Sequence, residues 1–356
     1  MMRQLVGILT LAGALGSAAL AQSGLELVQP DAGVVLGVEW RQIVDSALGG
    51  ELTDQLKKTQ MSSMPGMQAL QAAVMHDLDS MVIAIPVSAL AHAKANTKPP
   101  VLFVVKGRFH VDLLRGLMMQ KNPHTETYRS VELIAAPDDA RAGAAPDQNQ
   151  LAFLDANTIL GGDRGQVRAA IDRVKTGHLT PVGAGLLSGA AALASKNDVW
   201  MIFDLPPGAL KDAPPAAAQM FAAVRGAELG LSFQHGFGLL LNIRTQDADS
   251  ATTMAQALQG LVAMSAMGAM GQGQSPQVGE LVKKIRIAPE NSRVSLSLSL
   301  DRNEVQSMIA AATASATRVP AADPAKHDAT PPSRRPIRIT GLDGGPVDVQ
   351  PAAPKN

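Results

Sequence analysis

The pattern Asp-Arg-x-[Gln/Glu]-Val-x-x-x-Ile occurs twice, at Asp163–Ile171 and again at Asp301–Ile309. Each copy reads as a helix start. The aspartate can accept a backbone N–H at the N-cap, and Gln166 or Glu304 occupies the capping-box position three residues on. Apolar side chains then recur at Val167, Ala170, Ile171 and Val174, and at Val305, Met308, Ile309 and Ala312. This is the stripe of a helix with one buried face. Gly177 supplies a stop for the first helix.

The agreement extends backwards from both caps. Upstream of the first, strands are predicted at Val34–Glu39, Met81–Pro86, Val101–Lys106, near Tyr128–Ile134 and at Leu151–Leu154. Helices are predicted at Arg41–Lys58, Pro65–His76 and Val111–Gln120. Before the second cap, strands fall at Val199–Asp204, Ala227–Phe233, Leu239–Arg244, Lys284–Ile287 and Arg293–Leu300. A helical segment at Ala216–Val224 and a helix at Ala248–Met267 lie among them. The order β-α-β-β-α-β-β-α thus appears twice. Alternation such as Val294/Leu296/Leu298/Leu300 marks half-buried strands. The expectation is an α+β fold of two related halves, with mainly antiparallel sheets and helices packed on one face.

The run Leu151–Asp155, Leu160-Gly161-Gly162-Asp163 and Val167–Ile171 resembles uncharacterised bacterial exported-protein families of unknown function. In these a strand ending in a Gly-Asp turn leads into an Ala-rich helix, and Val101–Phe109 running into Val111–Met119 fits the same layout. The resemblance extends over residues 25–317. It implies an α+β repeat fold in the cell envelope and transfers no catalytic residue.

Export is also suggested by the N-terminus. Arg3 precedes an uncharged apolar stretch from Leu5 to Leu15, and Ala19-Leu20-Ala21 forms a small-x-small cleavage pattern. An apolar core of about 11 residues suits a signal peptide, whereas a membrane span needs about 20. The expected division is a signal peptide over 1–21, a first unit over 22–182, a second over 183–317 that begins with a bridging helix at Gly185–Ala194, and a disordered tail over 318–356. After cleavage no transmembrane anchor is expected. The uncharged stretch Ser250–Gly279 carries too many glutamines and threonines to span a membrane, and reads as a helix followed by a Gly/Gln/Ser/Pro loop.

Composition narrows the chemistry. The chain has 31 basic and 31 acidic residues, so it lacks the cationic footprint of a nucleic-acid binder, and no such partner is expected. It has no cysteine, which removes disulfides, thiol catalysis and thiolate metal sites. No nucleophile elbow, phosphate loop or zinc-protease motif is present, so no catalytic residue, cofactor or metal is assigned.

Four groups of residues remain as candidates. Met61-x-x-Met64-x-x-Met67 and Met264-x-x-Met267-x-x-Met270 have a spacing that could bind Cu(I) through thioethers. Taking Met254, Leu258, Leu261 and Val262 as the core face puts Met267 and Met270 opposite it, as a partner or metal surface. His76-Asp77-Leu78-Asp79 and His110-Val111-Asp112 pair histidine with carboxylate, the makings of an acid–base or hard-metal site, though each is more simply a polar element end. Trp40 and Trp200, near the first strand of each unit, are expected to anchor cores. In the tail, Ile337/Ile339 and Val347/Val349 alternate with polar residues around a Gly-rich turn. That segment suits a small hairpin, or a strand added to a sheet edge of an envelope partner. The functional expectation is an exported, non-catalytic envelope protein with a binding or structural role. A hydrolase with dispersed residues between the halves is the alternative, and Cu(I) binding a lesser one.

Overall fold

Residues 24–51, 53, 75–91, 99–120, 123–135, 149–183, 185–206, 222–271, 276–317, 337–339 and 347–349 are described in the computed structural model. The chain divides into two compact units, Met1–Met308 and Ile309–Asn356. In the first, the strands are β1 (Ala32–Val38), β2 (Leu78–Pro86), β3 (Leu102–Gly107), β4 (Thr125–Tyr128), β5 (Val131–Ala135), β6 (Asn149–Asp155) and β7 (Thr158–Asp163). They continue with β8 (Val199–Asp204), β9 (Val224–Ser232), β10 (Gly236–Thr245), β11 (Arg286–Glu290) and β12 (Arg293–Asp301). All twelve join one sheet in the order β11-β12-β10-β9-β8-β1-β2-β3-β7-β6-β5-β4. Every pairing in it is antiparallel. The fold class is therefore α+β with a single continuous sheet. Read outward from the β8–β1 pair, the order is β1-β2-β3-β7-β6 on one side and β8-β9-β10-β12-β11 on the other.

Helices cover both faces, where the sequence suggested one. They include α1 (Trp40–Asp45), α3 (Val111–Met119), α4 (Arg164–Thr176), α5 (Gly185–Ala194) and α6 (Ala248–Gly271); the other described helices are α2 (Val87–Ala91), α7 (Pro276–Lys284) and α8 (Arg302–Thr317). Register explains the arrangement. Met81-Val82-Ile83-Ala84-Ile85 in β2 is apolar at successive positions, so both sides of that strand need cover. Val82, Ala84, Val35, Leu102, Val104 and Trp200 pack under α4, α5 and the 3-10 turn Leu25–Leu27. Val38, Val105 and Ile159 point the other way and meet Trp40 and Ile43 of α1 and Leu114 of α3. In β12, leucines alternate with Ser295, Ser297 and Ser299, so only one face is apolar. There Ala251, Met254, Ala255 and Leu258 of α6 pack on Val294, Ile243 and Ile287.

The two capped helices form as their sequence dictates. Asp163 accepts from the backbone N–H of Gly165 at 2.9 Å and of Gln166 at 3.4 Å. Gly177 ends α4 in the left-handed conformation at φ 71°. At α8, Asp301 accepts from Glu304 N at 2.9 Å while Glu304 accepts from Asp301 N at 3.0 Å, a reciprocal capping box. Along α4, Val167, Ala170 and Ile171 are fully buried. Removing a Val or Ile side chain of this kind from water is worth about 1.5–3 kcal/mol.

Three local readings change. The strand expected near Tyr128–Ile134 is a hairpin, β4–β5, which turns at Arg129 and Ser130 with φ of 48° and 63°. It is an addition to the first half of the expected order. Pro276 opens helix α7 where a loop was expected. Proline suits a first helical position because its missing N–H would have no partner there. Most of the helical segments expected at Ala216–Val224 and Pro65–His76 lie outside the described residues; Val224 itself begins β9. The helix expected at Arg41–Lys58 is interrupted: α1 ends at Asp45, Ser46 donates from both its backbone N–H and its hydroxyl to Ile43 O, and helix resumes at 49–51. Both tryptophans are core residues, 8% and 0% exposed. Among the described residues no helix is long and apolar enough to cross a membrane.

Within the unit Ile309–Asn356, strands β13 (Ile337–Ile339) and β14 (Val347–Val349) pair antiparallel, with Ile337 opposite Val349 and Ile339 opposite Val347. The segment is thus a hairpin.

Candidate functional site

At the end of the sheet where β1 and β3 finish and β2 and β7 begin, a cleft of about 660 Å³ opens. Glu39, Arg41, Gln42, Asp79, Ser80 and Lys106 supply most of its side chains, and Gly107, Arg108 and Asn157 complete it. The strands fix these positions. Ser80 lies opposite Lys106 across β2–β3, and Lys106 opposite Thr158 across β3–β7. Glu39 follows β1 directly, and its backbone N–H donates to Asp198 O at 2.7 Å, across the β1–β8 seam.

Glu39 is the most strongly constrained carboxyl of the cleft. One of its oxygens, Oε1, accepts from Trp200 Nε1 at 3.2 Å. Burial pushes its pKa up, the Trp200 hydrogen bond opposes that, and the charge of Asp198 pushes it further up. Asp198 is wholly buried, with its carboxylate accepting from Phe233 N at 2.5 Å and from Gln234 Nε2 at 2.7 Å. A buried carboxylate is tolerable when donors surround it in this way.

The cations differ in how firmly they are held. Lys106 lies 3.5 Å from Glu26 and donates to Thr158 Oγ1 at 3.2 Å, with both ion-pair partners largely buried. Burial raises the Glu26 pKa, with its backbone hydrogen bond and then Lys106 acting against it. Arg41 meets Asp79 at 3.3 Å in a pair that is about two-fifths exposed. Pairs of that exposure contribute about 0–1 kcal/mol and exchange partners readily. The Arg108 side chain is exposed and has no ion-pair or hydrogen-bond partner among the described residues.

Beside the cleft, the fold joins two histidine motifs that are distant in sequence. His76 Nδ1 stands 2.8 Å from Asp77 Oδ1, and His110 Nδ1 stands 3.2 Å from Asp77 Oδ2. Hydrogen bonds from His76, then His110, hold the Asp77 carboxyl below its ordinary range. The other carboxylates of those motifs go elsewhere: Asp79 pairs with Arg41 and Asp112 is fully exposed. Among the described residues no group of three or more His, Asp or Glu side chains is placed to hold a metal ion.

The remaining candidates do not join this cleft. Met267 and Met270 belong to α6, with side chains outside the described residues. Met254 and Leu258 do face the core, but Leu261, expected on the same face, is 57% exposed, and Met264 is exposed beside it. The core stripe is instead carried by Ala251 and Ala255, because small residues let α6 approach the sheet. Met61, Met64 and Met67 lie outside the described residues. The side chains of Ile337, Ile339, Val347 and Val349 also lie outside them, although their backbone forms the hairpin. Of the large sheet's two edge strands, β11 carries Pro289 and the charged ends Arg286 and Glu290. Such features discourage strand addition.

Sequence reasoning missed Glu39, Lys106, Arg108 and Asn157. Its one usable signal was the abrupt change from apolar strand to charge, at Val38-Glu39 and at Val105-Lys106.

No protein-family model matches this sequence, and no curated protein matches it. By structure it is similar to crystal form I of TP0453, with 8% identity and a TM-score of 0.46 over 81% of this chain and 96% of that one. Crystal form III of TP0453 gives 8% identity and a TM-score of 0.48 over 81% and 97%. A likeness of this degree carries no argument about function.

Proposed function

We propose that this is an exported, non-catalytic protein of a bacterial cell envelope that works by binding. The observation that carries the reading is the cleft over β1–β3. It gathers charged groups of both signs at a sheet end, while among the described residues its lining offers one hydroxyl, Ser80, and no histidine. Small-ligand sites are concave and fix their ligand with convergent polar groups, and a lining as polar as this one suits a charged ligand. The alternative of a hydrolase between the halves has less support, because β1 and β8 pair directly and Trp200 fills the space beside them. The matching strand order on either side of that pair supports reading the sheet as two related halves. Export rests on the apolar N-terminal stretch and the Ala19-Leu20-Ala21 pattern.

The test is expression of the full chain in a bacterium, followed by fractionation, N-terminal sequencing and turnover assays on the purified product. A periplasmic or secreted chain beginning at Gln22, with no turnover of ester, peptide or glycoside probes, is expected. Retention in the cytoplasm with an intact N-terminus, or hydrolysis abolished by Glu39→Gln, refutes the reading.

A further inference from the structure

We infer that the cleft over β1–β3 takes a small zwitterion, a ligand carrying an ammonium and a carboxylate such as an amino acid or a short peptide. This rests on the binding reading above and names the ligand class for the same site. Charge is the first argument. Among the described residues the lining holds three cations (Arg41, Lys106, Arg108) and two carboxyl groups (Glu39, Asp79), and Lys106 is paired with Glu26 behind the lining, so the charges of the site balance. A ligand of one sign would leave it unbalanced.

The second argument is which groups remain available. Lys106 is committed to Glu26 and Thr158. Arg108 has no partner among the described residues, and Glu39 uses only Oε1, toward Trp200. One open group of each sign therefore lines a single cleft. The exposed Arg41–Asp79 pair supplies a second, readily opened set. In the resulting arrangement, Glu39 and Asp79 accept from the ammonium while Arg108 and Arg41 donate to the carboxylate. Ser80, Gln42 and Asn157 line the rest with neutral polar groups. The volume of about 660 Å³ leaves room for a side chain beyond the two charged ends.

The test is isothermal titration of the mature chain with a mixture of free amino acids, a mixture of di- and tripeptides, and the single-charge probes acetate, methylammonium and inorganic phosphate. Saturable heat from one of the two zwitterion mixtures is expected, and which one answers distinguishes the free amino acid from the peptide. Arg108→Ala and Glu39→Gln should each weaken that binding roughly ten- to a hundredfold, as expected for a lost charge-assisted hydrogen bond. Phosphate or acetate binding without zwitterion binding overturns the ligand class while leaving a binding protein. Zwitterion binding unaffected by both substitutions overturns the site. No heat from any probe overturns the proposal, and fractionation decides the export reading separately.

Discussion

Gly37→Ala in β1 is a sharp probe of the seam that supports the cleft. A Cβ at Gly37 would stand 2.1 Å from Cε2 and Cζ2 of Trp200 and 2.6 Å from Nε1. Ordinary carbon contacts are near 3.5–4.0 Å, so the ring must retreat by about 1.5 Å. Trp200 has no space to do so, being 0% exposed and packed with Val35 and Ile202. Overpacking of this kind costs about 1–3 kcal/mol. Displacing the ring also breaks its hydrogen bond to Glu39, for about 1 kcal/mol more. The narrower conformational freedom of alanine in the unfolded chain returns about 0.4–1 kcal/mol. The net expectation is a loss of about 1–3.5 kcal/mol. Urea unfolding followed by circular dichroism measures it, with the same substitution repeated in a Trp200→Leu background. That background is itself weakened by roughly 2–4 kcal/mol through the cavity it leaves. There the cost of Gly37→Ala should fall below about 1 kcal/mol. A neutral Gly37→Ala, or equal costs in both backgrounds, refutes the argument.

Other outcomes follow from the same geometry. Glu39 has a raised pKa, so the folded state holds its proton more tightly than the unfolded chain. Its contribution is present below the ordinary carboxylate range and lost as pH rises through the folded value, so Glu39→Gln should flatten this decline and raise the melting temperature at neutral pH; an unchanged pH profile counts against it. Glu126 has the opposite sign: Arg168 first, then Gln150, lowers its pKa. Its contribution is present above the ordinary range and fades on acidification, and Glu126→Gln should remove that acid-side loss in the same titration. Asp163→Ala should cost about 1 kcal/mol, whereas Asp163→Asn should recover most of it; equal losses would mean that the cap is not the cause. Ser130→Gly, at φ 63°, should stabilise the β4–β5 hairpin by about 1 kcal/mol, visible as slower amide exchange in both strands.

Some of this fold is legible in the chain because its determinants are local. An aspartate before an apolar helical stripe needs only nearby N–H groups, and both aspartate caps form, with the reciprocal box closed by Glu304 but not by Gln166, since Asp163 N donates to Val101 O. The β12 alternation likewise specifies a strand with one covered face. The β4–β5 turn is not legible, since Arg129-Ser130 lacks the Asn-Gly chemistry that usually marks left-handed turn positions. The cleft is less legible still. Glu39, Asp79, Lys106 and Asn157 meet only because β1, β2, β3 and β7 are neighbours, and strand order is a long-range outcome that period-two patterning does not encode.

The seam explains why the cleft sits where it does. β1 runs through Glu39 into α1, as β7 runs into α4, and α5 covers the β1–β8 pair. Beneath that cover lies Trp200, whose indole nitrogen needs an acceptor even when the ring is buried. Glu39 supplies it, and Asp198 holds the neighbouring backbone through Glu39 N and Phe233 N. Two carboxyl groups are thereby drawn toward a low-dielectric interior that apolar residues could have filled. Replacing Glu39 with glutamine would keep the acceptor and remove the charge, so the need to satisfy Trp200 does not by itself account for an acid at this position. An ammonium ligand would account for it. Glu39→Gln should therefore gain stability and lose zwitterion binding together, and a variant that gained the first while keeping the second would leave the charge of Glu39 without a role.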